Sequence, residues 1–162
     1  MSETSADNVK KAPIDHEIYC GVSYWPEMAH GTYGLLIMGQ DSTQITRGFR
    51  ETLPNRLHLR AAIDGLDSLP PDSTAVLHSS SKYVVDGMRN RWVKGWTKRG
   101  WKTKEGKKGA NQDLWLMLDD VAKDRRVKWI LITKYANNPL MEQCRILAGE
   151  ALHNSFDFPY DL

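Results

Sequence analysis

This sequence predicts an α/β domain, a five-stranded mixed sheet flanked by helices. Between Glu17 and Phe49 lie runs rich in β-branched and aromatic residues, bounded by turn residues. After Pro54 the apolar residues recur at helical spacing. Taken in order, the stretches read three strands, helix, strand, helices, strand, helix, the sequence of elements of a layered sheet-and-helix domain. At 162 residues, with 41% hydrophobic and 26% charged residues, the chain is long enough for one domain with its own core.

The first strand is EIYCGVSYW, Glu17 to Trp25. A turn-rich gap from Pro26 to Thr32 leads to YGLLIMG, an apolar run closed by Gly34 and Gly39. Asp41 and Ser42 mark a tight turn, and STQITRGF alternates as a half-buried third strand does. Short turns between three neighbouring strands make an antiparallel meander. Pro54 suits a first helical turn, and Leu57, Ala61 and Leu66 share one face, with Ile63 close by. The pair Pro70–Pro71 forbids continuation. TAVLHSSS is the fourth strand, expected beside the first. Tyr83, Val84, Met88 and Trp92 then recur at helical spacing, and NQDLWLMLDDV (Asn111 to Val121) turns Leu114, Trp115, Leu118 and Val121 inward. VKWILIT is the most apolar strand, which predicts a central position. PLMEQCRILAGEALH, Pro139 to His153, is the last helix. Residues 1–15, polar and closed by Pro13, read as a disordered leader, 16–156 as the domain and 157–162 as a tail.

Charge is concentrated in one place. Arg89 to Lys108 holds nine lysines and arginines against a single acid, Glu105, in a chain whose total is +2. Trp92, Trp96 and Trp101 are threaded between the cations. Such a segment suits a polyanion, because each neutralised phosphate releases counterions and flat rings lie against sugars or bases. The plainer alternative is a solvated helix face with the tryptophans turned into the core. No run approaches the apolar length of a membrane span, and the first residues lack the apolar stretch of a secretory signal. Cys20 and Cys144 have neither metal-ligand spacing nor a disulfide framework, so an intracellular, reducing compartment is expected.

Several motifs carry a resemblance. KRGWKT (Lys98–Thr103), DLW (Asp113–Trp115), SKYV (Ser81–Val84), NR (Asn55–Arg56) and CRILA (Cys144–Ala148) stand in the order found in the bacterial-type (type 1) ribonuclease H. The sequence resembles that family over about residues 17 to 155. The resemblance implies a ribonuclease H-like fold, with Arg89 to Lys108 as a substrate-binding helix and basic protrusion gripping an RNA–DNA hybrid. The family's chemistry uses two divalent cations held by carboxylates. Here the matching positions hold Gly21, His58, Ser80 and Arg145, and the family's mobile histidine falls at Tyr135. Four absent carboxylates leave two cations without compensating charge. The sequence therefore reads as a degenerate, catalytically inactive relative: not an enzyme, with no catalytic residue, no metal site and no cofactor.

Other chemistries are weaker. His58, His78 and Cys20 gather near the same centre and could suit zinc, but residues 20 and 21 point to opposite faces of a strand, and two histidines filling a vacated polar centre is the simpler reading. Among the family's binding positions, Asn111 matches a phosphate-binding amide and Asn55 an amide of the first helix. Glu51 and Leu53 replace the pocket's Arg and Thr, and Lys82 replaces an amide. The expected nucleic-acid contacts are Asn55, Arg56, Lys82, Arg91, Trp92, Lys94, Trp96, Lys98, Arg99, Lys102, Lys104 and Asn111, with Trp101 packing the protrusion. The partner is expected to be hybrid, duplex or structured RNA; a protein-bound scaffold is the alternative, residual hybrid cleavage the least favoured, and no membrane is expected.

Overall fold

Strand β1 (His16–Trp25) is the axis of the sheet, with the order β3-β2-β1-β4-β5 across it. The computed structural model describes residues 14–102 and 110–162. The expected leader therefore lies outside the described residues except for Ile14 and Asp15, and Lys104 lies outside them too. Strands β2 (His30–Met38) and β3 (Ser42–Phe49) complete the meander, each antiparallel to its neighbour. Strand β2 starts three residues before the expected Tyr33, because His30, Gly31 and Thr32 pair with Trp25, Tyr24 and Ser23 and shorten the gap to a tight turn.

Helix α1 (Pro54–Asp67) opens with proline in its first turn and buries Leu57, Leu59, Ala61, Ala62, Ile63 and Leu66. It crosses one face of the sheet and returns the chain to β4 (Thr74–Ser79), which lies parallel to β1 with Glu17 opposite Val76 and Ile18 opposite Leu77. The expected neighbourhood of these two strands is therefore present. β5 (Arg126–Leu131) pairs only with β4 and forms an edge, not the centre. Trp129 alone of its residues is buried; the apolar content reflects one face packed under helices rather than a central place.

The basic segment also departs from a single helix. α2 (Lys82–Arg89) is capped by Ser81, whose hydroxyl accepts from the Val84 amide, and it ends at Asn90. Arg91 then takes a left-handed conformation at φ +53°, and α3 (Trp92–Lys98) sets off in a new direction. α4 (Gln112–Lys123) packs beside α1, and α5 (Pro139–Ala151) covers the opposite face of the sheet. The larger core lies between the sheet and α1, α2 and α4, and includes Ile18, Cys20, Tyr33, Leu35, Leu57, Leu77 and Trp115. A smaller one, Tyr19, Leu36, Met141 and Cys144, lies under α5. Residues 157–162 are not a loose tail: Arg50 N–H donates to Pro159 O at 2.8 Å and Asp161 N–H to Arg50 O at 2.9 Å. Among the described residues no helix is long and apolar enough to cross a membrane.

Candidate nucleic-acid interface

Of the four positions that the resemblance aligns with the family's acids, Gly21 and Arg145 meet where β1 lies under α5, Ser80 follows β4, and His58 lies in α1. Gly21 lies in β1 directly under α5. A Cβ built there would stand 2.5 Å from the Cys144 carbonyl carbon and 2.7 Å from the Cys144 Cβ, against the Arg145 amide as well. The helix backbone has closed on the strand where a carboxylate would need room. At the end of β4 the Ser80 hydroxyl is taken by Tyr135, whose phenol donates to it at 3.0 Å. Arg145 points out to solvent and donates through Nε to Glu142 at 3.0 Å. Among the described residues no three of His, Cys, Asp and Glu gather as a metal-binding group. A pair of divalent cations needs a cluster of oxygen anions, and this donor set does not fit one.

The three residues weighed for zinc are not brought together either. Cys20 is buried in the larger core on the α1 side, and burial pushes its thiol far up. His78 stacks on Tyr19 with ring centroids 4.2 Å apart, nearly parallel. Burial lowers the His78 pKa, Glu17 opposing it. His58 sits in α1, and its Nδ1 is buried without a hydrogen-bond partner among the described residues.

Burial drives the His58 pKa down to about 4, so its ring is neutral in the folded chain near neutrality. The unfolded chain, with an ordinary imidazole, binds more protons between about pH 6.5 and 4. Stability is therefore expected to fall across that window as the pH drops, by on the order of 3 kcal/mol in total. His58→Gln, compared with the parent in urea titrations at pH 7 and 4.5, should lose less on acidification. An equal loss in both would remove His58 as the origin.

Several cations are ion-paired, while Arg126, Lys128 and Lys134 are exposed without an ion pair among the described residues. Lys82 pairs with Asp86 one turn on, Arg47 with Asp64, and Arg56 with Asp113 and Asp161. Arg91, Lys94, Lys98, Arg99 and Lys102 are exposed, and none of them is ion-paired among the described residues. These five lie on or beside α3, whose own aromatic residues turn inward. Trp92 and Trp96 are half-buried and meet Trp115 at 5.9 and 5.4 Å, and Trp101 packs on Trp96 at 5.4 Å. The rings thus form a half-buried floor beneath the cations. Asn111 takes a left-handed conformation before α4; its amide accepts from Arg56 Nη1 at 3.3 Å and donates to the Tyr83 hydroxyl at 3.4 Å. Asn55 is exposed on the first turn of α1, and Glu51 and Leu53 are exposed just before it. The bonds of Arg56 to Asp113 and Asp161 were not legible from spacing, since Asp161 is 105 residues away.

Sheet order, crossing helix and the α2–α3 corner define a ribonuclease H-like fold, and comparison with known proteins gives the same result. The profile of the RNase H family matches residues 14–153, and the chain belongs to that family. The Ribonuclease H of Pseudoalteromonas atlantica is 37% identical over 136 residues, covering 83% of this chain and 88% of the relative. The Ribonuclease H of Novosphingobium aromaticivorans is 37% identical over 121 residues, covering 75% and 84%. Among solved structures, LC9-RNase H1, described as a type 1 RNase H with the type 2 active-site motif, superposes with a TM-score of 0.73 at 25% identity, covering 90% of this chain and 75% of that one.

These relatives overturn one expectation. The four substitutions alone predict that this chain is not an enzyme; its relatives at 37% identity carry the name Ribonuclease H, so the chain stands among proteins named for an enzymatic activity. The physical reason for the difference is one of scope. Gly21, His58, Ser80 and Arg145 describe which groups could reach a metal at four positions, and that is a narrower statement than the presence or absence of turnover.

Proposed function

We propose that this chain binds nucleic acid, with RNA–DNA hybrid or a related duplex as its ligand, through the surface formed by Arg91, Lys94, Lys98, Arg99 and Lys102 over the Trp92–Trp96–Trp101 floor. The observation that carries this reading is the clustering of five exposed, un-ion-paired cations on or beside one short helix, over three tryptophan rings. A duplex backbone supplies phosphates at regular spacing to such a row, and the binding is independent of sequence. The tryptophan floor keeps the short helix α3 in place, and the half-buried rings of Trp92 and Trp96 add apolar contact with the sugar face. Asn55 and Asn111 extend the surface toward α1. Membership in the RNase H family supports the ligand class.

Titration with labelled hybrid, double-stranded DNA, double-stranded RNA and single strands at two salt concentrations tests the proposal. Affinity should fall steeply with salt, by about 0.9 log unit per log unit of salt for each duplex phosphate neutralised. Replacing Lys98, Arg99, Lys102 and Lys104 with Ala should weaken every ligand alike and flatten the slope by about one unit for each phosphate left without its cation. A folded quadruple variant that binds as tightly as the parent would overturn the reading. The length of the labelled RNA in the same mixtures, with Mg²⁺ or with chelator, reports hydrolysis independently of binding.

A further inference from the structure

Where β1 ends, an aromatic-lined slot of about 360 Å³ opens between Trp25 and the short 3₁₀ helix Leu152–Asp157 that follows α5. That size lies within the roughly 300–1,000 Å³ of small-molecule sites. Trp25 is 37% and Phe156 58% exposed, and both line the slot. The rings of Trp25, Phe156 and the buried His30 stand at 81–88° to one another, with centroids 5.1–6.0 Å apart. None of these contacts is a parallel stack, so a further flat ring has aromatic surface to lie against. Gly149 of α5 keeps the slot open: outside its own helix, a Cβ there would meet only the Ser23 hydroxyl, at 3.9 Å.

The walls are fixed from behind. His30 Nδ1 and the Ser155 hydroxyl share a buried hydrogen bond of 2.8 Å, and the Thr32 hydroxyl donates to Ala148 O at 2.5 Å. Strand β2 thus ties down both α5 and the residues after it, and a preformed slot spares a ligand the cost of ordering it. Among the described residues that line it there is no carboxylate, lysine or arginine; Ser155 and His153, the latter exposed, are its polar members. Such a lining selects a flat, uncharged ring with polar edges rather than a phosphate or another ion. The slot also adjoins the proposed surface. The turn after Trp25 is bonded to Thr52, whose N–H donates to Ala29 O at 2.9 Å, just ahead of Asn55 in α1. That continuity favours a nucleobase over an aromatic side chain of a protein.

We propose that the slot between Trp25 and Phe156, kept open by Gly149, binds one unstacked nucleobase. The base comes from a single-stranded stretch beside a duplex, since a base within the duplex is paired and stacked. That a nucleic acid delivers it rests on the reading above; the slot itself does not. Stacking accepts any base, because every base has a π-face. The slot adds what the α3 cations do not provide: they respond to charge, whereas it separates a duplex with a single-stranded end from a blunt one.

Adenosine, a base without a phosphate, tests the slot. In NMR titrations of the whole chain, the Trp25 indole N–H signal, assigned with Trp25→Phe, should shift saturably. Gly149→Leu, which fills the slot from open space, should abolish the shift; should that variant fail to fold, Phe156→Ala should abolish it instead. No shift in the parent, or equal shifts in parent and variant, overturns the slot whatever the affinity of the chain for hybrid. A second titration compares a hybrid carrying a short single-stranded extension with the same hybrid carrying an abasic extension of equal length, so that the phosphates are matched. The parent should bind the first more tightly by about 5-fold or more, and Gly149→Leu should bind both alike. A shift with adenosine but no preference between the two hybrids keeps the base slot and overturns the polymer as its source.

Discussion

Gly21→Asp, which puts an acid into β1 at the position that the resemblance aligns with the family's first carboxylate, is expected to destabilise the protein by about 3 kcal/mol or more. The obstacle is steric before it is electrostatic. The α5 backbone at Cys144 and Arg145 lies where the new Cβ must go, and backbone atoms of a packed helix cannot swing aside as a side chain can. Either β1 or α5 must move, opening the small core of Tyr19, Leu36, Met141 and Cys144. Gly21→Ala isolates this effect, since it adds the methyl without the charge, and it should carry most of the loss. Urea unfolding of the two variants measures it, and an alanine variant as stable as the parent would refute the close approach of α5 to β1. Placing carboxylates at His58, Ser80 and Arg145 meets softer obstacles: a desolvated site, a hydroxyl bonded to Tyr135 and an exposed ion pair. The four positions are therefore not equivalent, and Gly21 is the one the fold itself holds shut.

Much of this fold is legible in the sequence, and the misreadings have physical causes. The change of period at Pro54 and the alternation of STQITRGF depend on local burial, which a strand or helix writes into its own residues. The place of a strand within a sheet is not written there. β5 looked central because Val127, Trp129, Ile130 and Leu131 are apolar, yet an edge strand with a covered face needs the same residues. The corner between α2 and α3 was hidden because Arg91, not glycine, takes the left-handed conformation. The motifs around Lys98–Thr103 and Asp113–Trp115 name candidate positions in the sequence, but not their partners. Nothing near Arg56 in the sequence announces Asp161, and nothing near Lys82 separates a free lysine from one paired with Asp86. Exposure of the α3 cations and occupation of the α1 arginines are decided by residues far along the chain.

Trp115→Ala is expected to cost about 3–5 kcal/mol and to disable the basic surface at the same time. Trp115 is fully buried, and its indole N–H donates to the Tyr83 hydroxyl at 2.7 Å. It meets the rings of Tyr83, Trp92 and Trp96, and Gly87 in α2 leaves the space its own ring fills: a Cβ there would stand 2.8 Å from Trp115 Cζ3. The side chain thus joins α2, α3 and α4. α3 has seven residues and no side-chain cap, too few to be stable as a helix without packing. Losing its floor should let α3 detach and scatter the cations proposed to bind phosphate, so affinity should fall even though no charge has been removed. Trp115→Phe keeps most of the ring and loses only the hydrogen bond to Tyr83, so it should fall between the parent and the alanine variant in both stability and affinity. Paired measurements of the urea midpoint and of hybrid affinity, the latter under conditions where each variant is folded, separate the two effects. If Trp115→Ala lost stability but bound a folded-state ligand with unchanged affinity and salt slope, the tryptophan floor would have no part in presenting the cations, and α3 would have to be held by packing other than these rings.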